Sequence, residues 1–234
     1  MLFIKNTDFI VILTGAGISA ESGIQTFRAS DGLWENHRVE DVATPEGFQR
    51  DPELVWRFYK ARYFQSLNAS PNPGHNALVE LERRIGERFF LVTQNVDGLH
   101  LRAGSQNVVE MHGRLNSCFC SQCASHFLLS EIDLSSPIPL CLKCKKKLRP
   151  DIVWFGEMPY CMDEILLKLN KASIFLTIGT SGNVYPAANF IEIARHRGAK
   201  TVGVNLDLPL NKGLMDDFFL GKAGEILPTF FQIE

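Results

Sequence analysis

The sequence contains no unbroken apolar run approaching the roughly 18 residues that a bilayer-spanning helix requires. It lacks any surplus of charge as well. The 24 Lys and Arg stand against 26 Asp and Glu, a net charge of −2, so electrostatics give no reason to expect nucleic acid or a membrane surface as a partner. Met1 to Asp8 hold no basic segment followed by an apolar run and a small-residue cleavage site; no secretion signal is read there, and a cytoplasmic protein is expected. Cysteine is scarce outside one stretch: five of the six lie between Cys118 and Cys144, and only Cys161 stands apart. That clustering argues against the dispersed disulfide framework of small secreted domains and points to a metal. Internal repeats and low-complexity segments are absent.

What remains is the composition of a soluble globular enzyme, 45% apolar and 21% charged over 234 residues. Four continuous apolar runs, Phe9–Leu13, Phe89–Thr93, Ser173–Ile178 and Lys200–Val204, read as buried parallel strands. Helical patterns lie between them, at Asn76–Ile85 and Ala187–His196 among others. The alternation predicts an α/β fold: a Rossmann-like parallel sheet with helices on both faces. Two segments fall outside the alternation. Residues 35–74 read as helical, punctuated by Pro45, Pro52, Pro71 and Pro73, and residues 116–149 carry the cysteine cluster. Both are expected to form a smaller lobe, against a main lobe of about 1–34, 75–115 and 150–234.

Ligands of such sheets sit at the carboxyl ends of the strands. Here those ends carry Gly15-Ala16-Gly17, Gln94-Asn95, Gly179-Thr180-Ser181 and Asn205. The first continues as Ile18-Ser19-Ala20-Glu21-Ser22-Gly23, a glycine-rich turn into a helix, where free N–H groups suit a pyrophosphate. The spacing differs from G-x-G-x-x-G, and a tight strand-to-helix turn is the plainer alternative. Thr26-Phe27-Arg28 follows, an aromatic ring and a cation placed to fold over a dinucleotide. Gln94-Asn95-Val96-Asp97 puts three polar side chains directly after a buried strand, which is costly unless they meet a ligand or each other. His112, in Glu110-Met111-His112-Gly113, suits a general base; His100 is its rival.

Cys120-x-x-Cys123 and Cys141-x-x-Cys144 are separated by 17 residues. Two such knuckles place four thiolates around one tetrahedral ion, and four sulfurs leave no open position, so a structural zinc is expected. Cys118 offers a competing pairing with Cys120; Cys161 is read as a core residue. Lys143, Lys145, Lys146 and Lys147 read as a solvated face beside the second knuckle, with a nucleic-acid-binding ribbon as the rival.

Together these blocks resemble the sirtuin family: Gly15–Ser19, Thr26–Arg28, Gln94–Asp97, His112-Gly113, the four cysteines, Val153-Trp-Phe-Gly-Glu157, Gly179–Ser181 and Asn205, in the family's order and across nearly the whole chain. The resemblance implies a protein-lysine deacylase that consumes NAD. NAD would be held by Gly15, Ala16, Gly17, Ile18, Ser19, Glu21, Gly23, Thr26, Phe27, Arg28, Trp34, Gln94, Val96, Gly179, Thr180, Ser181, Asn205 and Ala223, with Asn95 and Asp97 at its nicotinamide end. An acyl-lysine on a protein partner would lie as a strand between Val153–Glu157 (Val153, Trp154, Phe155, Gly156 and Glu157) and Gly182–Tyr185, touching Val184 and Tyr185. Its carbonyl oxygen would attack C1′ and expel nicotinamide, and His112 would act as base on the ribose hydroxyls, giving free lysine and O-acyl-ADP-ribose. Asn95 and His112 are thus the catalytic candidates.

The acyl group is addressed by a predicted helix, Glu53–Tyr63, whose Val55, Phe58, Tyr59 and Arg62 share one face. An Arg at the end of an inward apolar stripe calls for an anion, although it also has the option of snorkelling to solvent. Tyr59-Lys60-Ala61-Arg62 resembles the family's succinyl-preferring branch, with Ala43 as the small residue that widens the acyl pocket. Removal of succinyl and malonyl groups is expected, with deacetylation retained, from a monomer. Mono-ADP-ribosyl transfer and a non-catalytic NAD-binding module are the alternatives.

Overall fold

The computed structural model describes residues 1–25, the backbone of 33 and 34, and residues 37–234. A six-stranded parallel sheet forms its centre, built from β2 (Ile10–Thr14), β5 (Phe89–Thr93), β6 (Val108–Glu110), β10 (Ile174–Ile178), β11 (Lys200–Asn205) and β12 (Asp217–Leu220) in the spatial order β12-β11-β10-β2-β5-β6. The four strands read from sequence are its middle. Continuous apolar runs are required there because both faces are covered. Along β2, Ile10 and Ile12 enter one core and Val11 and Leu13 the other; along β5, Phe89 and Leu91 oppose Phe90 and Val92 in the same way. The edge strands β6 and β12 were not among the expected ones; both are short and only partly buried. A parallel pair, β1 (Leu2–Ile4) with β13 (Phe231–Ile233), closes one side, and β3 (Leu33–Trp34) pairs with β4 (His37–Arg38).

The remaining elements are α1 (Val39–Val42), α2 (Pro45–Arg50), α3 (Pro52–Asn68), α4 (Pro73–Ile85), α5 (Leu99–Ala103), α6 (Met162–Leu169), α7 (Phe190–His196), α8 (Ala223–Ile226) and an antiparallel sheet of β8 (His126–Leu128), β7 (Gly113–Cys120) and β9 (Leu148–Ile152). Three of the four prolines of residues 35–74 start helices, and Pro71 lies in the loop before α4. Thr44, Asp51 and Asn72 each cap the helix whose first residue is Pro45, Pro52 or Pro73, accepting from Gly47, Leu54, and Gly74 with His75. Trp56 and Tyr63 of α3 pack with Cys118, Leu129, Ile132 and Leu148 in a separate core cluster, and the Trp56 indole donates to the Leu148 carbonyl at 2.8 Å. No helix among the described residues is long and apolar enough to cross a membrane.

One expectation fails. Cys161 is exposed rather than in the core. It occupies the left-handed position before α6, φ 57°, where the backbone turns outward.

Asn72 does more than cap. Its Nδ2 donates to the Ile18 carbonyl at 2.7 Å and to Ser22 Oγ at 3.0 Å, so the start of α4 is tied to the glycine-rich turn. Asn72→Ala removes the cap and leaves a buried carbonyl without its donor. A loss of about 2–3 kcal/mol is expected, seen as a Tm lowered by roughly 5–10 °C. An unchanged Tm would show that the turn holds its shape unaided.

Candidate active site

The chain leaves β2 for β5 on one side and returns to β10 on the other, so strand order reverses between β2 and β10. That reversal is where a ligand crevice opens. Two glycine turns form its floor. Gly15 donates to the Ile178 carbonyl at 3.0 Å and Gly17 to the Gly179 carbonyl at 2.8 Å. A Cβ on Gly17 would meet Gly179 Cα at 2.6 Å, and Gly179 holds φ +62° with Ile18 N 2.4 Å from its would-be Cβ. No side chain fits between the turns, so a ligand in the crevice can approach their backbone closely; the Gly15, Gly17 and Gly179 amides themselves are bonded within the protein, the last to the Val204 carbonyl at 3.0 Å.

Above this floor lies a cavity of about 840 Å³, lined by Gly15, Ala16, Gly17, Gln94, Asn95, Val96, Asp97, His112, Gly179, Thr180, Ser181 and Asn205 on one side. Ala43, Tyr59, Arg62, Val153, Trp154, Phe155, Gly156, Glu157, Val184 and Tyr185 line the other. A smaller cavity of about 280 Å³ shares Gly17, Gly179 and Asn205 and adds Glu21 and Ala223. Glu21 Oε2 accepts from the Gly224 amide at 2.7 Å, joining the first turn to α8. Three expected contacts do not reach either cavity wall. Ile18 is a core residue, Ser19 is fully buried behind Asn95, and Gly23 ends a short helix in left-handed geometry. Thr26, Phe27 and Arg28 lie outside the described residues, as does the Trp34 side chain. Sequence reasoning missed Leu206, Leu208 and Leu210, which line the cavity from the loop after β11; a leucine stripe in a loop carries no periodic signal.

The polar side chains after β5 hold each other and the floor. Asn95 Nδ2 donates to the Gly15 carbonyl and to Ser19 Oγ, both at 3.1 Å. Gln94 Nε2 donates to Thr180 Oγ1 at 3.1 Å. Asn205 Nδ2 donates to the Thr180 carbonyl at 3.1 Å. Burial raises the Asp97 carboxyl above the usual carboxylate range, against donation from the Leu99 amide at 2.9 Å.

His112 Nδ1 lies 3.1 Å from the Gln94 carbonyl oxygen. A carbonyl only accepts, so Nδ1–H donates and Nε2 carries the lone pair. Burial lowers the His112 pKa below its ordinary value, and the Gln94 carbonyl opposes part of that shift. Gly113 fixes the backbone beyond it: φ is +87°, and a Cβ would strike the Asp151 carbonyl oxygen at 2.1 Å. The rival His100 is 2% exposed, bonds Thr14 Oγ1 at 2.9 Å and is pushed down to about 3 by burial, next to His75. It does not line the cavity.

On α3 the face read from sequence is buried: Val55, Phe58, Tyr59 and Arg62 are all under 9% exposed. The Arg62 guanidinium stacks on Phe58, 4.0 Å from the ring centre, and NH1 donates to the Phe58 carbonyl at 3.1 Å. Burial lowers its pKa to about 10, so it remains cationic at neutral pH.

At the tip of the small sheet the sulfurs of Cys120, Cys123, Cys141 and Cys144 all lie within 4.8 Å of one another. Cys120–Cys144 and Cys123–Cys141 approach to 3.4 and 3.6 Å. Tetrahedral zinc with Zn–S near 2.3 Å requires sulfurs about 3.8 Å apart, so the group fits zinc. The two knuckles repeat one turn: Ala124 donates to the Cys120 carbonyl and Lys145 to the Cys141 carbonyl, and both donors have positive φ, 53° and 59°. Cys118 is buried in β7 opposite Phe127 and Pro150, outside the sulfur group. The four lysines beside Cys144 are exposed.

A dinucleotide crevice at a strand-order reversal, a buried histidine above it and a four-cysteine knuckle define a class of NAD-binding α/β proteins with a zinc ribbon. The Sir2 family model matches residues 15–186. An NAD-dependent protein deacylase of Bdellovibrio bacteriovorus is 55% identical over 224 residues, 94% of each chain. One of Escherichia coli K12 is 52% identical over 227 residues, covering 95% of this chain and 81% of the relative. A solved complex of a Sir2 homologue with NAD superposes with a TM-score of 0.86 at 42% identity, covering 94% of this chain and 86% of that one. A Sir2 complex with a p53 peptide and NAD+ gives 0.84 at 34% identity, covering 94% and 90%. The chain belongs to the Sir2 family.

Proposed function

We infer that this protein is an NAD-dependent protein-lysine deacylase that removes succinyl and malonyl groups, and acetyl groups as well, from proteins bearing acyl-lysine. The observation that carries the reading is that Tyr59 and Arg62 line the same cavity as Asn95, Asp97, His112 and both glycine turns. On this reading residues of about 35–74 and 116–149 form a small lobe against a main lobe made of the rest, and the substrate strand lies in the cavity between Val153–Glu157 and the loop of Val184 and Tyr185, all of which line it.

NAD supplies the electrophilic ribose carbon C1′ and the nicotinamide leaving group. The protein does the rest. Gly15, Gly17 and Gly179 present backbone to the pyrophosphate, and Asn95 and Asp97 take the nicotinamide ribose end. The acyl oxygen attacks C1′ within a cavity that limits water. His112 Nε2 then accepts a proton from a ribose hydroxyl, its Nδ1–H fixed by the Gln94 carbonyl. A dicarboxylic acyl chain brings its far carboxylate to the Arg62 guanidinium, whose planar fork binds it with two parallel hydrogen bonds.

The test compares kcat/KM for matched succinyl-lysine and acetyl-lysine peptides with NAD, and identifies products by mass. Nicotinamide and O-acyl-ADP-ribose are expected; ADP-ribose attached to protein would point to the transferase alternative. For Arg62→Met the succinyl reaction should fall roughly 100-fold, the loss of a charge-assisted pair, and the acetyl reaction less than about threefold. Equal losses on both peptides would remove the acyl-selectivity argument and leave the deacylase reading standing.

A further inference from the structure

The segment that lines the cavity from Val153 to Pro159 is bonded to the histidine at both of its ends. The Val153 amide donates to the His112 carbonyl and the Tyr160 amide to the Met111 carbonyl, each at 2.9 Å. Those two carbonyls belong to the peptide units on either side of the His112 Cα, so one segment holds the backbone of the base from both directions. Asp151 closes that segment. Its Oδ1 accepts from the Tyr160 hydroxyl and its Oδ2 from the Ser117 hydroxyl, each at 2.7 Å. The exposed His126 ring stands further off, 3.9 Å from Oδ2. Two hydroxyl donors to one half-buried carboxylate make bonds stronger than those between neutral groups. The Asp151 carbonyl oxygen is also the atom that bars a side chain at Gly113. The Asp151 backbone is thus packed against the turn after His112, and close-packed groups transmit displacement. Asp151, Ser117 and Tyr160 do not line the cavity, so whatever they do for the reaction is done through its neighbours.

We propose that Asp151, held by the Ser117 and Tyr160 hydroxyls, is a positioning residue for His112: it closes residues 151–160 into a loop whose two ends fix the peptide units around the base. Base and substrate strand are then set as one unit. The inference rests on the deacylase reading given above, with His112 as its base, and not on acyl selectivity.

The test uses saturating NAD and acetyl-lysine peptide, and compares lysine release with exchange of labelled nicotinamide into NAD. The base acts after nicotinamide has left. Misplacing it slows release and spares exchange, whereas general damage to the fold or to NAD binding slows both. Release should fall about threefold with Tyr160→Phe and about tenfold with Asp151→Ala, less than the roughly 100-fold cost of a 1 Å misplacement, while exchange stays within about twofold of wild type. Asp151→Asn can still accept from Tyr160 through Oδ1 and donate to the Ser117 hydroxyl through Nδ2, so it should recover most of the release that Asp151→Ala loses. Should Asp151→Ala fail to fold, Tyr160→Phe alone decides, because it keeps the ring and the amide bond to Met111. Release unmoved by Tyr160→Phe, release and exchange falling together, or an Asn variant as slow as the Ala variant overturns the proposal. His112→Ala, run alongside, separates the two levels. If it slows release and spares exchange while the other variants do not, only the positioning role is lost. If it spares release, or stops exchange as well, the reading of His112 as base falls and takes the positioning role with it.

Discussion

Replacing His112 with alanine should cut deacylation about 10³-fold, within the range for removing a positioned general base, without abolishing the first bond-breaking step. The reason lies in the order of events. Expulsion of nicotinamide by the acyl oxygen needs alignment and a water-poor cavity, which the glycine turns, Asn95 and Asp97 provide. The base is required only when a ribose hydroxyl must lose its proton. Labelled nicotinamide should therefore still exchange into NAD in the presence of an acyl peptide, while lysine release all but stops. The wild-type pH profile is the second check. Nε2 acts only when neutral, and burial lowers the His112 pKa. Activity therefore rises with pH along an acid limb whose midpoint lies below the ordinary histidine value of about 6.5. Acidification through the lowered pKa is what removes it. An acid limb with its midpoint at or above about 6.5, or loss of exchange together with deacylation, would falsify this role and leave His112 as a binding or structural group.

His112 shows how far the sequence could be read. Its position after a short apolar run is visible, but so is that of His100, and no pattern along the chain separates them. Packing does. His100 faces Thr14 inside the molecule, whereas the Gln94 carbonyl sets the His112 tautomer at the cavity wall. The central strands were legible because a sheet covered on both faces demands continuous apolar runs. β6 and β12 were not, since an edge strand of three or four half-buried residues carries too little pattern to register. The cysteine knuckles were legible for a different reason. Their spacing is a local geometric constraint, and the four sulfurs converge while Cys118 packs away inside β7. Cys161 was misread because a lone cysteine gives no sign of the left-handed turn that exposes it. The Trp154 indole donates to the Tyr59 hydroxyl across 95 residues, so nothing in either segment announces that bond.

Stripping the metal should unfold the small sheet and with it the acyl-selective wall of the cavity. The core there is small: Trp56, Tyr63, Leu129, Ile132, Leu148 and three of the cysteines supply nearly all its buried side chains. Structural zinc in such knuckles contributes about 10–16 kcal/mol of binding free energy, as large as the whole net stability of a typical domain, about 5–15 kcal/mol. The sheet that the metal holds is also the surface on which α3 rests, since Trp56 and Tyr63 of that helix belong to the same cluster and the Trp56 indole bonds Leu148 of β9. Tyr59 and Arg62 sit between them on the next turns of that helix. Chelation should thus release one zinc per chain, red-shift tryptophan fluorescence as Trp56 meets water, and abolish desuccinylation. Cys141→Ser should reproduce this, because one missing thiolate leaves a zinc site of three sulfurs and a weak hydroxyl. The parallel sheet has its own two cores, so strand content by circular dichroism should fall only in part. Intact fluorescence and activity in protein proved free of metal would mean that the small core stands without zinc, and that the four converging sulfurs are held by packing alone.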